Sequence, residues 1–375
     1  MKNHEWTQMA ANSGAGKRGI AILVAIVLSC PLFAQEKVAR EKGAEAKVAA
    51  RAAAKAPLAQ SKTEDGAPEL TEEASKAIDD GLKFLLKTQG ADGSWSADRF
   101  QMACTSLALM SFMVKGEFPG YGPNAKALDK AKDWMLKKAK SVSDGYLGQS
   151  MYEHGLATLA LSEMWGMTKG EKDDEELLKA LDAAVKVILR SQNIAGGWRY
   201  QPSPDAGQDT SVTVMVFIGL ASARQAGIMV PDEAIKRLVK YLEGAQVQGT
   251  GGFSYMGGGV VSIACSGGGL YAAQLCGERD SQMVNAGINY VSNLPDGVFA
   301  NTGYFYYTHY YAIQSMVQAG DDHYARWYPK IRDALVEKQT KDGSWPPDAG
   351  GNIQSTTMSI LILGTPHRFI PVYQR

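Results

Sequence analysis

A short phrase that recurs along the chain limits its fold more than any other feature. Gln89–Trp95, Gln192–Trp198 and Gln339–Trp345 each read Gln, three residues, Gly, a small residue and Trp. Weaker copies follow at Asp144–Tyr146, Gly251–Phe253 and Asp296–Phe299. Taken at Gly93, Gly145, Gly197, Gly252, Gly297 and Gly343, the six turns lie 45 to 55 residues apart. Such a period is typical of repeat proteins and leaves room for two helices in each unit.

The helices on the two sides of each turn differ in pattern. Before the first turn, Ala74, Ile78, Leu82 and Leu85 form one apolar stripe with charged residues opposite, as in a surface helix. After the turns come segments that are apolar on nearly every side, which indicates burial on both faces. These are Leu156–Leu161, Val212–Ala221 and Met358–Leu363. The alternation predicts an all-α fold, an (α/α)6 toroid of two concentric rings with twelve helices, over residues 70–375.

The first 35 residues have the pattern of a secretory signal peptide. Lys17 and Arg18 precede an apolar segment from Gly19 to Ser29, and a small residue, Ala34, marks a cleavage point. We therefore expect export to the periplasm or the medium. Two alternatives stay open: lipidation at Cys30, or an uncleaved N-terminal anchor, either of which allows peripheral membrane contact through the N-terminus.

Residues 36–69 are rich in Ala, Lys and Glu and contain no large apolar cluster, which predicts a solvated tether. The whole chain carries 39 basic and 39 acidic side chains, so it lacks the basic excess of a nucleic-acid-binding protein. Its four cysteines are too few for a disulfide framework at this length.

The repeated turns resemble the QW motifs of squalene-hopene cyclases and related prenyltransferase repeats. Further phrases resemble an exported, single-toroid bacterial subgroup of that family: Met151–Gly155, Gly197–Tyr200, Asp209–Thr213 and His309–Ala312. The resemblance implies a central, partly apolar pocket that binds or converts an isoprenoid or hopanoid-type lipid. The cyclase acid motif, Asp-x-Asp-Asp, reads Ala-Gly-Gln208-Asp209 here. Because a glutamine cannot protonate an alkene, squalene cyclisation is not expected.

In a toroid, the residues just after each turn converge on one end of the barrel. Among them, the side chains that can act as acids or bases are those of Glu153, His154, Asp209 and His309, and these are the predicted catalytic residues. Thr210 beside them is a predicted substrate contact. The simplest structural alternative for Asp209 is a helix N-cap, and for the two histidines a hydrogen bond to a neighbouring helix.

The resemblance to prenyltransferases also implies that the chain could bind a zinc ion. Those enzymes use an Asp, a Cys two residues later and a His, but here Ser211 stands in the cysteine position. Asp209, Cys265 and His309, with His154 nearby, are ligand types that zinc accepts. The alternative for Cys265 is a small packed side chain among three glycines.

The densest aromatic segment supplies the remaining substrate-binding candidates, Tyr306, Tyr307, Tyr310 and Tyr311. An aromatic lining suits an isoprenoid chain, a carbocation or a sugar ring, and core packing explains the same pattern. Trp95, Trp198 and Trp345 are predicted to be structural.

A carbohydrate-active protein is the main alternative, because hydrolases and lyases also use this barrel. A hydrolase would need Glu153 and Asp209 as its carboxylate pair, and a lyase would need His154, His309 or Tyr310 as a base. A non-catalytic interaction toroid is also compatible with the sequence. If the protein is an enzyme, the resemblance points to an isomerase or transferase, and alanine at His154 or His309 should abolish activity without changing the melting temperature.

Overall fold

The computed structural model describes residues 70–96, 100–348 and 350–367, so the predicted signal peptide and tether lie outside it. Twelve long helices follow one another in these residues. They are α1 (Glu72–Thr88), α2 (Gln101–Met113), α3 (Ala125–Ser141), α4 (Met151–Met164), α5 (Glu171–Ser191), α6 (Thr210–Gln225), α7 (Asp232–Ala245), α8 (Ile263–Leu275), α9 (Gln282–Ser292), α10 (Phe305–Ala319), α11 (Asp321–Lys338) and α12 (Gly351–Leu363). Shorter elements are Pro204–Ala206, Gly297–Ala300 and Thr365–His367.

The even-numbered helices form a closed inner ring. Each packs on the next in chain order, and α12 packs back on α2. The odd-numbered helices lie outside them, with α11 against α1 where the last repeat meets the first. The predicted all-α (α/α)6 toroid is therefore confirmed. Among the described residues, no helix combines the length and apolarity needed to cross a bilayer.

Local sequence explains the difference between the rings. Helix α1 begins at Thr71, whose hydroxyl accepts the Ala74 backbone N–H at 3.2 Å, and it buries one apolar stripe that includes Ile78 and Leu82. In α4, by contrast, every residue except Tyr152 is buried. An inner helix is buried on more than one face because it packs against its neighbours in the inner ring and also against an outer helix.

A glycine with positive φ occupies the same place in five turns: Gly93, Gly145, Gly196, Gly251 and Gly343. A β-carbon at any of them would collide with a backbone carbonyl of the next outer helix. The glycine repeat thus runs through Gly196 and Gly251, one residue before the Gly197 and Gly252 at which the sequence copies were aligned.

The tryptophans pin the two helices of each complete turn together. The Trp345 indole N–H donates to the Leu335 carbonyl at 2.8 Å, and its backbone N–H donates to the Thr356 hydroxyl at 3.1 Å. Trp95 and Trp198 make the same pair of bonds. These contacts agree with the structural role predicted for the three residues.

The glutamines of the phrase link neighbouring outer helices. The Gln339 side-chain amide donates to the Gly343 carbonyl in its own turn and to the Ala77 carbonyl in α1. Because Ala77 belongs to the first repeat, this bond closes the outer ring. The same two-way link recurs at Gln89, Gln192 and Gln246.

Candidate functional site

At least one residue near the start of each inner helix keeps partial exposure, and at least two turns of buried residues follow the last such residue of each helix. We call this ring of six residues the mouth: Gln101, Tyr152, Ser211, Ala264, Tyr307 and Gln354. Six helix N-termini open here, each with backbone N–H groups that carry partial positive charge. The mouth is therefore the place where the toroid can offer polar groups and aromatic faces to a ligand at the same time.

Three tyrosines meet at the mouth and just below it, and we call Tyr152, Tyr307 and Tyr311 the tyrosine cluster. The ring centroid of Tyr307 lies 6.4 Å from that of Tyr152 and 4.7 Å from that of Tyr311. The hydroxyl oxygens of Tyr152 and Tyr311 are 3.2 Å apart, and the Tyr311 hydroxyl donates to the Met215 sulfur at 3.2 Å. Burial raises the pKa of all three phenols, so they remain neutral.

Two further tyrosines form the rim above the cluster. The hydroxyl oxygens of Tyr200 and Tyr255 lie 3.3 Å apart, and both side chains are exposed to solvent by 37 to 42%. Their carbonyls accept the backbone N–H groups of Met151 and Thr210, which hold both loops against inner-helix N-termini. The rim thus presents hydroxyl groups outward on a well-anchored backbone.

Asp209 is the carboxyl group of this region. Its Oδ1 caps α6 by accepting the Val212 backbone N–H at 2.9 Å, and it also accepts the Ser211 hydroxyl at 2.7 Å. Its Oδ2 is buried and has no hydrogen-bond partner in the described structure. Burial raises the pKa of Asp209, while the two hydrogen bonds and the charge of Arg199 act in the opposite direction. Asp209 is therefore the N-cap of α6, and its second carboxyl oxygen, Oδ2, takes no part in the cap.

The predicted zinc ligands do not come together. Burial raises the pKa of the Cys265 thiol, with a smaller contribution from nearby Asp209. His309, however, lies between the rings: its imidazole stacks on Phe299 at 5.3 Å and lies 5.9 Å from the Trp327 ring of α11. No three His, Cys, Asp or Glu side chains of the described chain form a cluster that could hold a metal ion. A zinc site at these residues consequently has no geometric support.

Both histidines predicted to be catalytic bond to backbone in the toroid wall. His154 Nδ1 accepts the Leu147 N–H at 3.0 Å, and its Nε2 lies 3.0 Å from the Ala184 carbonyl of α5. His309 Nε2 lies 3.1 Å from the Val298 carbonyl in the fifth turn. Burial lowers the pKa of each imidazole to about 4, so both are neutral near neutral pH.

Glu153 and Thr210 also turn away from the mouth. Glu153 is buried, and its two carboxylate oxygens accept the backbone N–H groups of Gln149 at 2.7 Å and Ala103 at 3.4 Å. The Thr210 hydroxyl donates to the Ser254 carbonyl at 2.7 Å. Both oxygens of Glu153 thus accept backbone N–H groups, whereas Oδ2 of Asp209 has no partner in the described structure.

Of the four predicted aromatic contacts, Tyr307 and Tyr311 belong to the cluster and two do not. Tyr306 is 4% exposed and packs its edge on Phe305, while Tyr310 is 1% exposed and packs edge-on against Tyr311. Sequence reasoning missed Tyr152, Tyr200 and Tyr255. Of these, only Tyr152 carried a signal, because it is the second residue of an inner helix, whereas Tyr200 and Tyr255 lie in loops well before the inner helices that follow them.

A second concave feature lies on the outside of the ring. It is a groove of about 440 Å³ between α3 and α5, with an apolar floor that includes Leu136 and Ala180. Its charged side chains pair with one another, as in Lys140 with Glu176 at 2.8 Å and Arg190 with Asp144 at 3.6 Å. The second turn, at this position, has no glutamine of the repeated phrase to link the two outer helices.

Known structures with this fold include two kinds of enzyme. A type II terpene cyclase from Scytonema, with its product merosterolic acid A, has a TM-score of 0.55 and 15% identity over 80% of this chain and 98% of its own. An inactive variant of an α-1,6-mannanase from Salegentibacter, with α-1,6-mannotriose, has a TM-score of 0.57 and 10% identity over 79% and 99%.

A protein from Actinoplanes is also similar, with a TM-score of 0.53 and 17% identity over 77% of this chain and 98% of its own. No family model matches the chain, and no curated protein sequence matches it significantly. Identities this low show a shared toroid fold alone, so the resemblance to squalene-hopene cyclases is supported at the level of fold.

Proposed function

We propose that this protein is an exported toroid that binds a small isoprenoid-type lipid at its mouth. The observation that carries the proposal is the tyrosine cluster, in which three neutral phenol rings and the Met215 thioether meet at and just below the mouth. Aromatic faces and a polarisable sulfur bury an alkyl or alkene chain well. The similar Scytonema enzyme has been solved with geranylgeranyl dihydroxybenzoate, a ligand of this chemical class.

Asp209 would contact the polar end of the ligand. Its Oδ2 is buried without a partner, and burial raises the pKa of the carboxyl group. The unpartnered oxygen can accept a hydrogen bond from a hydroxyl group of the ligand. Gln208 occupies the proton-donor position of the cyclase motif, and a glutamine cannot protonate an alkene. Binding without squalene-type cyclisation is the function that fits.

A glycan is the second candidate ligand, and the exposed hydroxyl pair of Tyr200 and Tyr255 favours it. The Salegentibacter mannanase with this fold was solved with an oligosaccharide. Hydrolysis has less support than binding, because both oxygens of Glu153 already accept backbone N–H groups. Export would suit either ligand, and the processing of residues 1–35 can be tested by sequencing the mature N-terminus.

A binding measurement separates the two ligand classes. The wild-type chain would be titrated with radiolabelled geranylgeraniol and, separately, with α-1,6-mannotriose. We expect Tyr307→Ala to weaken geranylgeraniol binding about tenfold or more, because a buried aromatic contact contributes at least about 1.4 kcal/mol. Tyr121→Ala is the matched control, since this half-buried tyrosine precedes α3 at the opposite end of the toroid.

The outcomes differ clearly. Binding of geranylgeraniol that is weakened by Tyr307→Ala and retained in Tyr121→Ala supports the lipid proposal. Saturable binding of mannotriose alone would replace it with the glycan. Geranylgeraniol binding that neither substitution changes would place the ligand elsewhere and refute the site.

A further inference from the structure

The contact between Tyr152 and Tyr311 crosses the centre of the ring. In the inner-ring order, α4 lies between α2 and α6, and α10 lies between α8 and α12. Helices α4 and α10 are therefore diametrically opposite, yet their tyrosine hydroxyls are 3.2 Å apart. Two side chains that meet in this way form a bar across the axis of the toroid.

Neighbouring residues hold the bar in place from the other sides of the ring. The Tyr311 hydroxyl donates to the sulfur of Met215 in α6, and the Tyr311 ring lies over Gly268 in α8. A β-carbon at Gly268 would already be 3.5 Å from Tyr311 Cγ, so a larger side chain there would compete with the ring for space. Tyr311 is completely buried, and every residue of α10 from Thr308 to Gln318 is buried as well.

The bar lies close to the mouth. Tyr311 follows Phe305, the first residue of α10, by six positions, which at 1.5 Å per residue is about 9 Å along the helix. Tyr152 is the second residue of α4. The bar thus runs from the level of the mouth, at Tyr152, to about 9 Å along α10, at Tyr311, and the greater part of the inner ring lies beyond it.

We propose that the Tyr152–Tyr311 bar is the floor of the binding site and sets the length of isoprenoid that the protein accepts. This inference rests on the proposed lipid-binding function. A short prenyl chain can be buried completely above the bar, whereas the additional units of a longer chain stay in water and add no affinity. Removal of the bar joins the mouth to the apolar interior and lets longer chains gain affinity by burial.

The test compares binding of geraniol, farnesol and geranylgeraniol by the wild type and by bar variants. We expect the wild type to show little gain in affinity from farnesol to geranylgeraniol. In Tyr152→Ala, the affinity for geranylgeraniol relative to geraniol should rise at least about tenfold. Tyr121→Ala at the far end should keep the wild-type ranking.

A second variant protects the test against misfolding. Tyr311→Leu removes the ring but retains an apolar side chain, and circular dichroism establishes whether each variant is folded. A rise in the length ratio in either folded variant supports the inference. An unchanged ratio in both, with prenyl alcohols still bound, overturns the length floor and leaves the proposed function standing. Failure of the wild type to bind any prenyl alcohol would overturn both.

Discussion

Each turn joins an outer helix to an inner helix, and the turns that contain tryptophan do so through other hydrogen-bonding groups than the turns next to a buried histidine. In the third turn, the Trp198 backbone N–H donates to the Thr213 hydroxyl of the inner helix at 2.9 Å. In the second turn, Leu147 stands in the tryptophan position, and its N–H donates to His154 Nδ1 at 3.0 Å. A hydroxyl makes this bond at any ordinary pH, whereas an imidazole makes it only while Nδ1 is unprotonated.

The comparison explains why two histidines are buried in a neutral state. His154 also reaches the outer helix through the Ala184 carbonyl, and so replaces part of the missing indole link. His309 bonds to the fifth turn and stacks on Phe299. Both residues thus contact the wall of the toroid, and Nδ1 of His309 is buried without a hydrogen-bond partner in the described structure.

The largest loss of stability should come from replacing the positive-φ glycine that both kinds of turn contain. Gly196→Ala in the third turn and Gly145→Ala in the second each place a β-carbon against a helix carbonyl at positive φ. We expect each to lower the free energy of unfolding by more than about 3 kcal/mol, measured by urea denaturation. Gly170→Ala is the control, because its φ is −127° and no atom lies within 4 Å of the added carbon. Equal stability of Gly196→Ala and Gly170→Ala would refute the steric account.

The second prediction separates the histidine turn from the threonine turn. His154→Ala leaves the Leu147 N–H and the Ala184 carbonyl without partners and opens a cavity, so a loss of about 3 kcal/mol is expected. Thr213→Ala should cost about 1–2 kcal/mol, since Trp198 keeps its indole bond. This result would reverse the sequence-based expectation of an unchanged melting temperature. A fully stable His154→Ala protein would restore the catalytic interpretation.

The third prediction concerns pH and applies to the histidine turns. The folded-state pKa of His154 and His309 is about 4, below the ordinary value of 6.5, so folding favours the neutral form. Their contribution is complete above pH 6.5 and is lost as the pH falls towards 4, by about 3 kcal/mol for each histidine. Chemical denaturation at a series of pH values measures this slope. His154→Ala should lose about half of it, and a wild-type slope in that variant would contradict the assignment.

The smallest effect concerns the glutamine link, which the second turn lacks and the last turn uses to close the ring. Gln339→Leu leaves the Ala77 carbonyl without its donor and should lower the free energy of unfolding by about 1–2 kcal/mol. Gln201→Leu, at an exposed loop position, is expected to change it by less than about 0.5 kcal/mol. Equal stability of the two variants would show that the link contributes nothing to closure.

Much of the fold follows from the spacing of the turns and from the two helix patterns. The candidate site was predicted only in part: Asp209, Tyr307 and Tyr311 lie at or below the mouth, whereas His154, His309, Glu153 and Thr210 contact the wall. An inner helix such as α4 is apolar nearly all round, so its pattern has no periodicity to distinguish the face towards the axis from the face towards the outer ring. A polar residue there can equally be a functional group or a link to the wall.

The amino-acid sequence by itself determines the repeat, the number of helices and the positions of the turns, because these depend on local periodicity and on the glycines in the turns. The contact between Tyr152 and Tyr311 could not be predicted from the sequence. They are 159 positions apart and on opposite helices, and they touch because the ring closes with the diameter it has. Closure depends on how all six inner helices pack at once, a property that no single segment encodes.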